Sequence, residues 1–211
     1  MAVDKTAGLL SIATGKERHK TLYRMVSDYV KAATDGSGKI FVVHRLDRDV
    51  SGVMIFARDE PAKRRLQEGW AGTEKIYHAV VEGRPPAPEG TVRNWLSENR
   101  AYRVYACDRD ARDARGAREA VTHYRIIKTA ARYCTLEVRI ETGRKHQIRV
   151  HMAGLGCPIV GDDTYGTGSP GGALALHALS LAFNHPSTGR RTTITSRLPS
   201  RFQRFSQPDS S

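Results

Sequence analysis

The chain has 211 residues, 39% of them hydrophobic, with 34 Lys and Arg against 22 Asp and Glu and a formal net charge of +12. That length holds one large domain or two small ones, with enough core to dispense with disulfide or metal staples. So large a basic excess opposes compaction and fits a polyanionic partner, nucleic acid first, with a supercharged soluble surface as the plainer alternative.

No run approaches the ~20 apolar residues of a membrane span. The N-terminus, MAVDKTAGLLSIATGK, has neither the basic start nor the long apolar core of a signal peptide. Cys107, Cys134 and Cys157 form no CxxC pair and no zinc spacing, which fits free thiols in a reducing, cytoplasmic setting.

Residues 1–10 open with a short strand ending near Gly8. Over 21–33, Leu22, Met25, Val26, Tyr29 and Val30 recur at helical spacing, with Thr21 at the start. A Gly/Ser turn precedes two β-branched runs, 40–43 and 53–57, each with the length of a buried strand. Between them lies HRLDRDVSG, dense in charge and pinned at both ends. Such a loop presents side chains from fixed positions, although charged connections also occur as plain solvated turns. Asp59 is placed to cap a helix over 60–71, with Pro61 in its first turn and Gly72 beyond its end.

Residues 75–82 carry apolar side chains on both faces, as a central strand does. GRPPAPEG over 83–90 has too few backbone donors for a sheet, and 91–96 is a further short strand. Residues 107–118 hold four arginines, Arg109, Arg112, Arg115 and Arg118, and three aspartates without an apolar stripe. They form either an exposed loop that meets a phosphate backbone or a segment disordered without RNA. Residues 120–128 and 134–140 are the strands of a hairpin. Then HQIRVHMAGLG repeats apolar residues at Ile148, Met152 and Leu155, so a helix opens near 144–146 and ends before Gly156 and Pro158. A glycine-rich loop over 161–172 and strands at 173–183 and 192–196 complete the chain. Strands outnumber helices and are joined mostly by turns, which predicts an α+β domain with a mixed, mostly antiparallel sheet flanked by short helices and loops. No repeat or inert linker breaks the chain, so a single domain over 1–211 is expected.

The chemistry centres on Asp47, set between Arg45 and Arg48. If the helix carrying Arg149 approached that loop, an Arg149–Asp47 pair would keep the carboxylate ionised and aimed. Such a carboxylate can attack carbon or take a proton, and the sequence leaves both routes open. Tyr77 offers a flat face for a base. The phosphate-cradling P-loop pattern is absent. A metal site built from His44, Asp47, Asp49, His146, His151, Asp162 and Asp163 fits ligand spacing poorly, because His146 and His151 are five apart.

HRLDRDVSGVMIFAR, EKIYHAVVEG, TGRKHQIRVHMAGLGCPIVGDDTYG and ALALHALSLAF, in that order, resemble the RluA family of RNA pseudouridine synthases. DKTAGLLS resembles that family's K-P-x-G-L-x-x segment, so the likeness runs across nearly the whole chain. The resemblance implies the pseudouridine synthase fold and isomerisation of uridine in RNA, without metal or organic cofactor. It implies that Asp47 is the catalytic aspartate, that Arg45 helps to flip the target uridine, that Tyr77 stacks on uracil, and that Arg149 pairs with the aspartate. His146 and Gln147 fall in the same block. His44, Arg48, Arg144, Arg109, Arg112 and Arg115 are further candidates for contacting the RNA, a ribosomal or transfer RNA stem-loop. Val50 stands where the family has threonine, and Thr6 where it has proline. The small N-terminal RNA-binding domain of many relatives is not expected here, and a monomer is. The competing readings are a catalytically silent RNA-binding or ribosome-assembly module of the same fold, and a metal-dependent nuclease.

Overall fold

The structure, a computed structural model, describes residues 1–15, 17–108, 116–167 and 172–206. They sort into two compact units, one of Met1–Lys75 and Ala178–Arg197, the other of Ile76–His177 and the segment from Leu198 onward. The chain crosses between them inside two strands and again at residues 197–198, and no linker composition marks the division. Among the described residues no helix is long and apolar enough to cross a membrane.

The first unit is built around β3 (Ser51–Ala57), all seven of whose residues are buried. β1 (Ala2–Lys5) runs antiparallel to it with Ala2 opposite Ile55, and β2 (Phe41–Val42) pairs with its end. β9 (Leu176–Asn184) lies beside β3, and β10 (Arg191–Thr195) pairs antiparallel with β9. Gly52 is required here. Its φ is +117°, and a Cβ would collide with the backbone of Ala178.

Helix α1 (Leu22–Ala32) starts as expected, with the Thr21 hydroxyl accepting from the Arg24 N–H at 3.2 Å. It buries Leu22, Val26 and Val30 against Ile40, Met54 and Phe56, each worth about 1.5–3 kcal/mol. Met25 and Tyr29, read from the sequence as part of that stripe, are instead 58% and 65% exposed. They form the neighbouring i, i+4 row, turned away from β3. Helix α2 (Glu60–Glu68) has its Asp59 cap, with Oδ1 accepting from the Ala62 N–H at 2.7 Å. It stops three residues early, at Gly69, and a 3-10 turn, Trp70–Gly72, follows.

The second unit is an antiparallel sheet of β4 (Glu74–Glu82), β8 (Tyr133–Ile140), β7 (Arg118–Thr129), β5 (Glu89–Glu98) and β6 (Val104–Cys107), in that spatial order. The β7–β8 hairpin matches the sequence reading, and the whole is the expected α+β architecture. β5 begins earlier than expected, and Gly90 fits there where a Cβ would press on the Tyr124 hydroxyl at 2.8 Å and its ring at 3.0 Å. β6 was hidden by its shortness and its arginine-rich neighbours.

Helix α3 (Gln147–Gly154) is short and buried from Gln147 through Met152. Gly156 follows at φ +75°, the left-handed residue expected after its end. The helix packs on the sheet face that carries Asn94, Ala120 and Thr122: Val150 joins a core of Leu96, Val104 and Ala120, and His151 lies 2.9 Å from Asn94 Oδ1. Register puts Tyr77 opposite Val138 and Val138 opposite Tyr124. Tyr77 therefore shares this face with the residues that hold α3.

Candidate active site

In the first unit, β2 ends at Val42 and β3 starts at Ser51, so HRLDRDV is held at both ends. Its underside is tied down residue by residue. His44 Nε2 accepts the Ile55 N–H at 3.0 Å, and its ring lies 4.6 Å from that of Trp70. Accepting at Nε2 requires a neutral imidazole. Burial, with Lys75 adding repulsion, pushes its pKa down to about 3. His44, expected among the RNA-binding residues, is committed to the fold.

The Ser11 hydroxyl donates to the Leu46 carbonyl at 2.6 Å and accepts the Leu46 N–H at 3.1 Å. Lys5, only 1% exposed, donates to the carbonyls of Thr6, Leu9 and Arg48 at 3.1, 2.6 and 2.8 Å. Burial lowers its pKa to about 8, although Asp49 and Asp47 pull it upward. Arg48 Nε reaches the Gly8 carbonyl at 3.1 Å, and the Arg48 carbonyl accepts the Gly8 N–H at 2.9 Å. A turn closed by the Val50 N–H on the Asp47 carbonyl, at 3.2 Å, completes the loop.

Asp47 is thus fixed through both of its neighbours. Its half-buried carboxylate makes no hydrogen bond or ion pair to a described residue, which leaves it available to a substrate. Arg45 is exposed and likewise unengaged among the described residues.

In the second unit the GRKHQIR block is arranged around Gln147 and Arg149. Gln147 is a strut: its Oε1 accepts from the Thr142 hydroxyl and the Arg144 N–H at 2.8 and 3.0 Å. Its Nε2 donates to the Val121 carbonyl and the Thr122 hydroxyl, both at 3.0 Å. Arg144 Nε donates to the Glu119 carbonyl at 3.0 Å. His146 takes a left-handed backbone, φ 54°, and its Nδ1 lies 2.9 Å from the Tyr165 hydroxyl. That hydroxyl also accepts the Val104 N–H at 3.0 Å.

Arg149, expected to pair with Asp47, is held by Asp162 of its own unit, Nε to Oδ2 at 2.8 Å and Nη2 to Oδ1 at 2.7 Å, with both side chains buried. Burial alone would raise the Asp162 carboxyl. The bonds from Arg149 and from the Tyr165 and Thr164 N–H groups outweigh it and hold the pKa below its ordinary value. The guanidinium also lies 5.2 Å from the centre of the Tyr165 ring. Lys5, Ser11 and Tyr165 escaped the sequence reading as site residues, and Asp162 entered it only within the rejected metal set. The signal for them lay in the flanking DKTAGLLS and GDDTYG segments.

Arg109, Arg112 and Arg115 lie outside the described residues. Among the described residues no group of three or more His, Cys, Asp or Glu side chains is placed to hold a metal ion.

Residues 1–154 match the family described as RNA pseudouridylate synthase. An uncharacterized RNA pseudouridine synthase of Chloroflexus aurantiacus is 40% identical over 95% of this chain and 63% of its own length. The ribosomal large subunit pseudouridine synthase D of Zymomonas mobilis is 32% identical over 96% of this chain and 68% of its own. The chain thus spans about two thirds of the length of these relatives. The solved structure of human RNA pseudouridylate synthase domain containing 4 superposes with a TM-score of 0.79 at 24% identity, over 99% of this chain and 91% of that one, and so shares its fold. By the match over residues 1–154 and these relatives, the chain belongs to the RNA pseudouridylate synthase family, and within it to the RluA type.

Proposed function

We propose that this chain isomerises uridine to pseudouridine in ribosomal or transfer RNA, with Asp47 as its catalytic carboxylate. The observation that carries the proposal is an unengaged carboxylate in the HRLD loop, fixed through Leu46 and Arg48, in a chain of this family. The reaction breaks the bond between N1 of uracil and the ribose, turns the base, and joins carbon 5 to the same ribose carbon. The hydrogen at carbon 5 leaves to water and N1 takes one up. Substrate and product are isomers, so no redox step is required.

The target base must first leave its stack, which costs a few kcal/mol and favours uridines in loops. Arg45, exposed beside Asp47, fills the space that base vacates. Tyr77 receives the uracil, and Arg149, braced by Asp162, offers a positive charge to the RNA. The net charge of +12 supports an RNA partner. The same reading puts the enzyme, as a monomer, in the cytoplasm, where RNA meets free thiols.

The test is tritium release from RNA labelled at uridine carbon 5, followed by nucleoside mapping of ribosomal and transfer RNA with and without the gene. Wild type is expected to release tritium, and Asp47→Asn to release none while still binding RNA. Turnover by Asp47→Asn within tenfold of wild type would remove Asp47 from the mechanism.

A further inference from the structure

The turn between β5 and β6 ends in an exposed aromatic ring that the fold itself does not need. Tyr102 is 76% exposed and sits at φ +61°, a conformation that glycine or asparagine adopts far more readily than a bulky residue. The turn is nonetheless rigidly built. The Asn99 N–H donates to the Arg103 carbonyl at 3.0 Å, the Tyr102 N–H donates to the Asn99 carbonyl at 2.9 Å, and Asn99 Oδ1 accepts the N–H groups of Ala101 and Arg103, both at 3.0 Å. A backbone this well fixed around a residue in an unfavourable region is the pattern of a side chain retained for what it touches.

One cation stands over the ring, and two more lie on the same turn. Lys145, in the GRKHQIR block, stands 5.6 Å from the centre of the Tyr102 ring, donates to the Tyr102 carbonyl at 2.9 Å and pairs with Glu98. Arg103 lies 5.4 Å from the Tyr165 ring, the same tyrosine that contacts His146 and Arg149. Arg100 is exposed and unengaged among the described residues. The turn is therefore tied, through Lys145 and Tyr165, to the GRKHQIR block of the second unit.

An exposed ring on a rigid support, flanked by cations, matches an unpaired nucleobase and its phosphates: the ring takes the base, the cations the backbone. We infer that Tyr102 is a stacking platform for an unpaired base of the RNA substrate, with Arg100, Arg103 and Lys145 facing its phosphates. The inference rests on the proposed RNA substrate but not on the isomerisation step.

The experiment measures binding of fluorescently labelled single-stranded oligouridylate to the full chain and to Tyr102→Gly, Tyr102→Ala and Tyr102→Phe, alongside thermal melts and tritium release by wild type. The expected result is that Gly and Ala weaken binding roughly 5- to 150-fold, the span of one lost base stack, while Phe binds within about twofold of wild type. Gly should also melt at a higher temperature than wild type, because it relieves the left-handed backbone, so lost binding cannot be put down to a lost fold. Gly and Ala variants that bind like wild type would overturn the stacking role, as would a Phe variant as weak as Ala. Wild type that binds but releases no tritium, with Gly and Ala weakened, would refute the isomerisation and leave the platform standing.

Discussion

One hydroxyl, that of Ser11, bonds both backbone groups of Leu46, the residue immediately before Asp47. With Lys5 on the carbonyl of Arg48, the residue after it, the segment from Lys5 to Ser11 forms a cradle that sets where the Asp47 carboxylate points. Leu46 is buried, so its N–H and carbonyl have no water to turn to when the hydroxyl is removed.

Ser11→Ala should therefore leave two buried polar groups without a partner, each worth about 1–3 kcal/mol. Its melting temperature should fall. At temperatures where the variant is still folded, its turnover should fall as well, since Asp47 loses its fixed position. Melts and tritium release on the same preparation check this. A variant less stable but as fast as wild type would reduce the cradle to a matter of stability.

The sequence makes the HRLD loop legible because two fully apolar strands bracket it, and the α1 and α2 caps because Thr21 and Asp59 each have one local job. What lies across the fold is harder to read. The Asp162 partner of Arg149 was not singled out because many carboxylates could have met that guanidinium. The turn after Gly161 brings Asp162 under α3 with two N–H groups already on its Oδ1. His44 was placed among the residues contacting RNA for a similar reason. Nothing in HRLD shows that its Nε2 faces a strand N–H rather than solvent. The division into two units leaves little trace in composition because two of its three crossings fall inside β4 and β9.

The Arg149–Asp162 pair gives a second expectation. Both side chains are buried, and removing one partner leaves an uncompensated charge, which costs about 3–5 kcal/mol. Asp162→Ala and Arg149→Ala should each lose roughly that much in urea unfolding. The double variant Arg149→Met, Asp162→Leu should recover part of the stability, but no activity if the guanidinium also serves the substrate. Single variants as stable as wild type would show that the pair carries no structural load.

Acid should destabilise the protein above the ordinary carboxylate range. Burial lowers the pKa of His44 to about 3 and of His151 to about 4, against an ordinary 6.5. Below pH 6.5 the unfolded chain takes protons on both rings and the folded chain refuses them, so stability falls as pH drops toward those values. Each such proton contributes a slope of about 1.4 kcal/mol per pH unit. His44→Gln keeps an acceptor for the Ile55 N–H and should flatten the slope between pH 6.5 and 4.5 by close to one proton. An unchanged slope would mean that His44 is protonated in the folded protein.

Tyr77 separates ring from hydroxyl. It lies on the same sheet face as Tyr124 and the residues that hold α3, half-buried, so its ring is presented from a rigid strand rather than a loop. A ring so held can receive the flipped uracil at little entropic cost, because two χ angles are all it has to fix. If stacking is its role, Tyr77→Phe should bind RNA as wild type does, whereas Tyr77→Ala should lose about 1–3 kcal/mol of binding free energy. Turnover divides the possibilities further. A Phe variant that binds normally yet turns over far more slowly would show that the hydroxyl takes part in the chemistry, for instance in proton transfer at the base. An Ala variant with the affinity of wild type would remove the stacking role, and the uracil would then need another receiver. Titrations with labelled RNA and tritium release on the same three proteins give both readings.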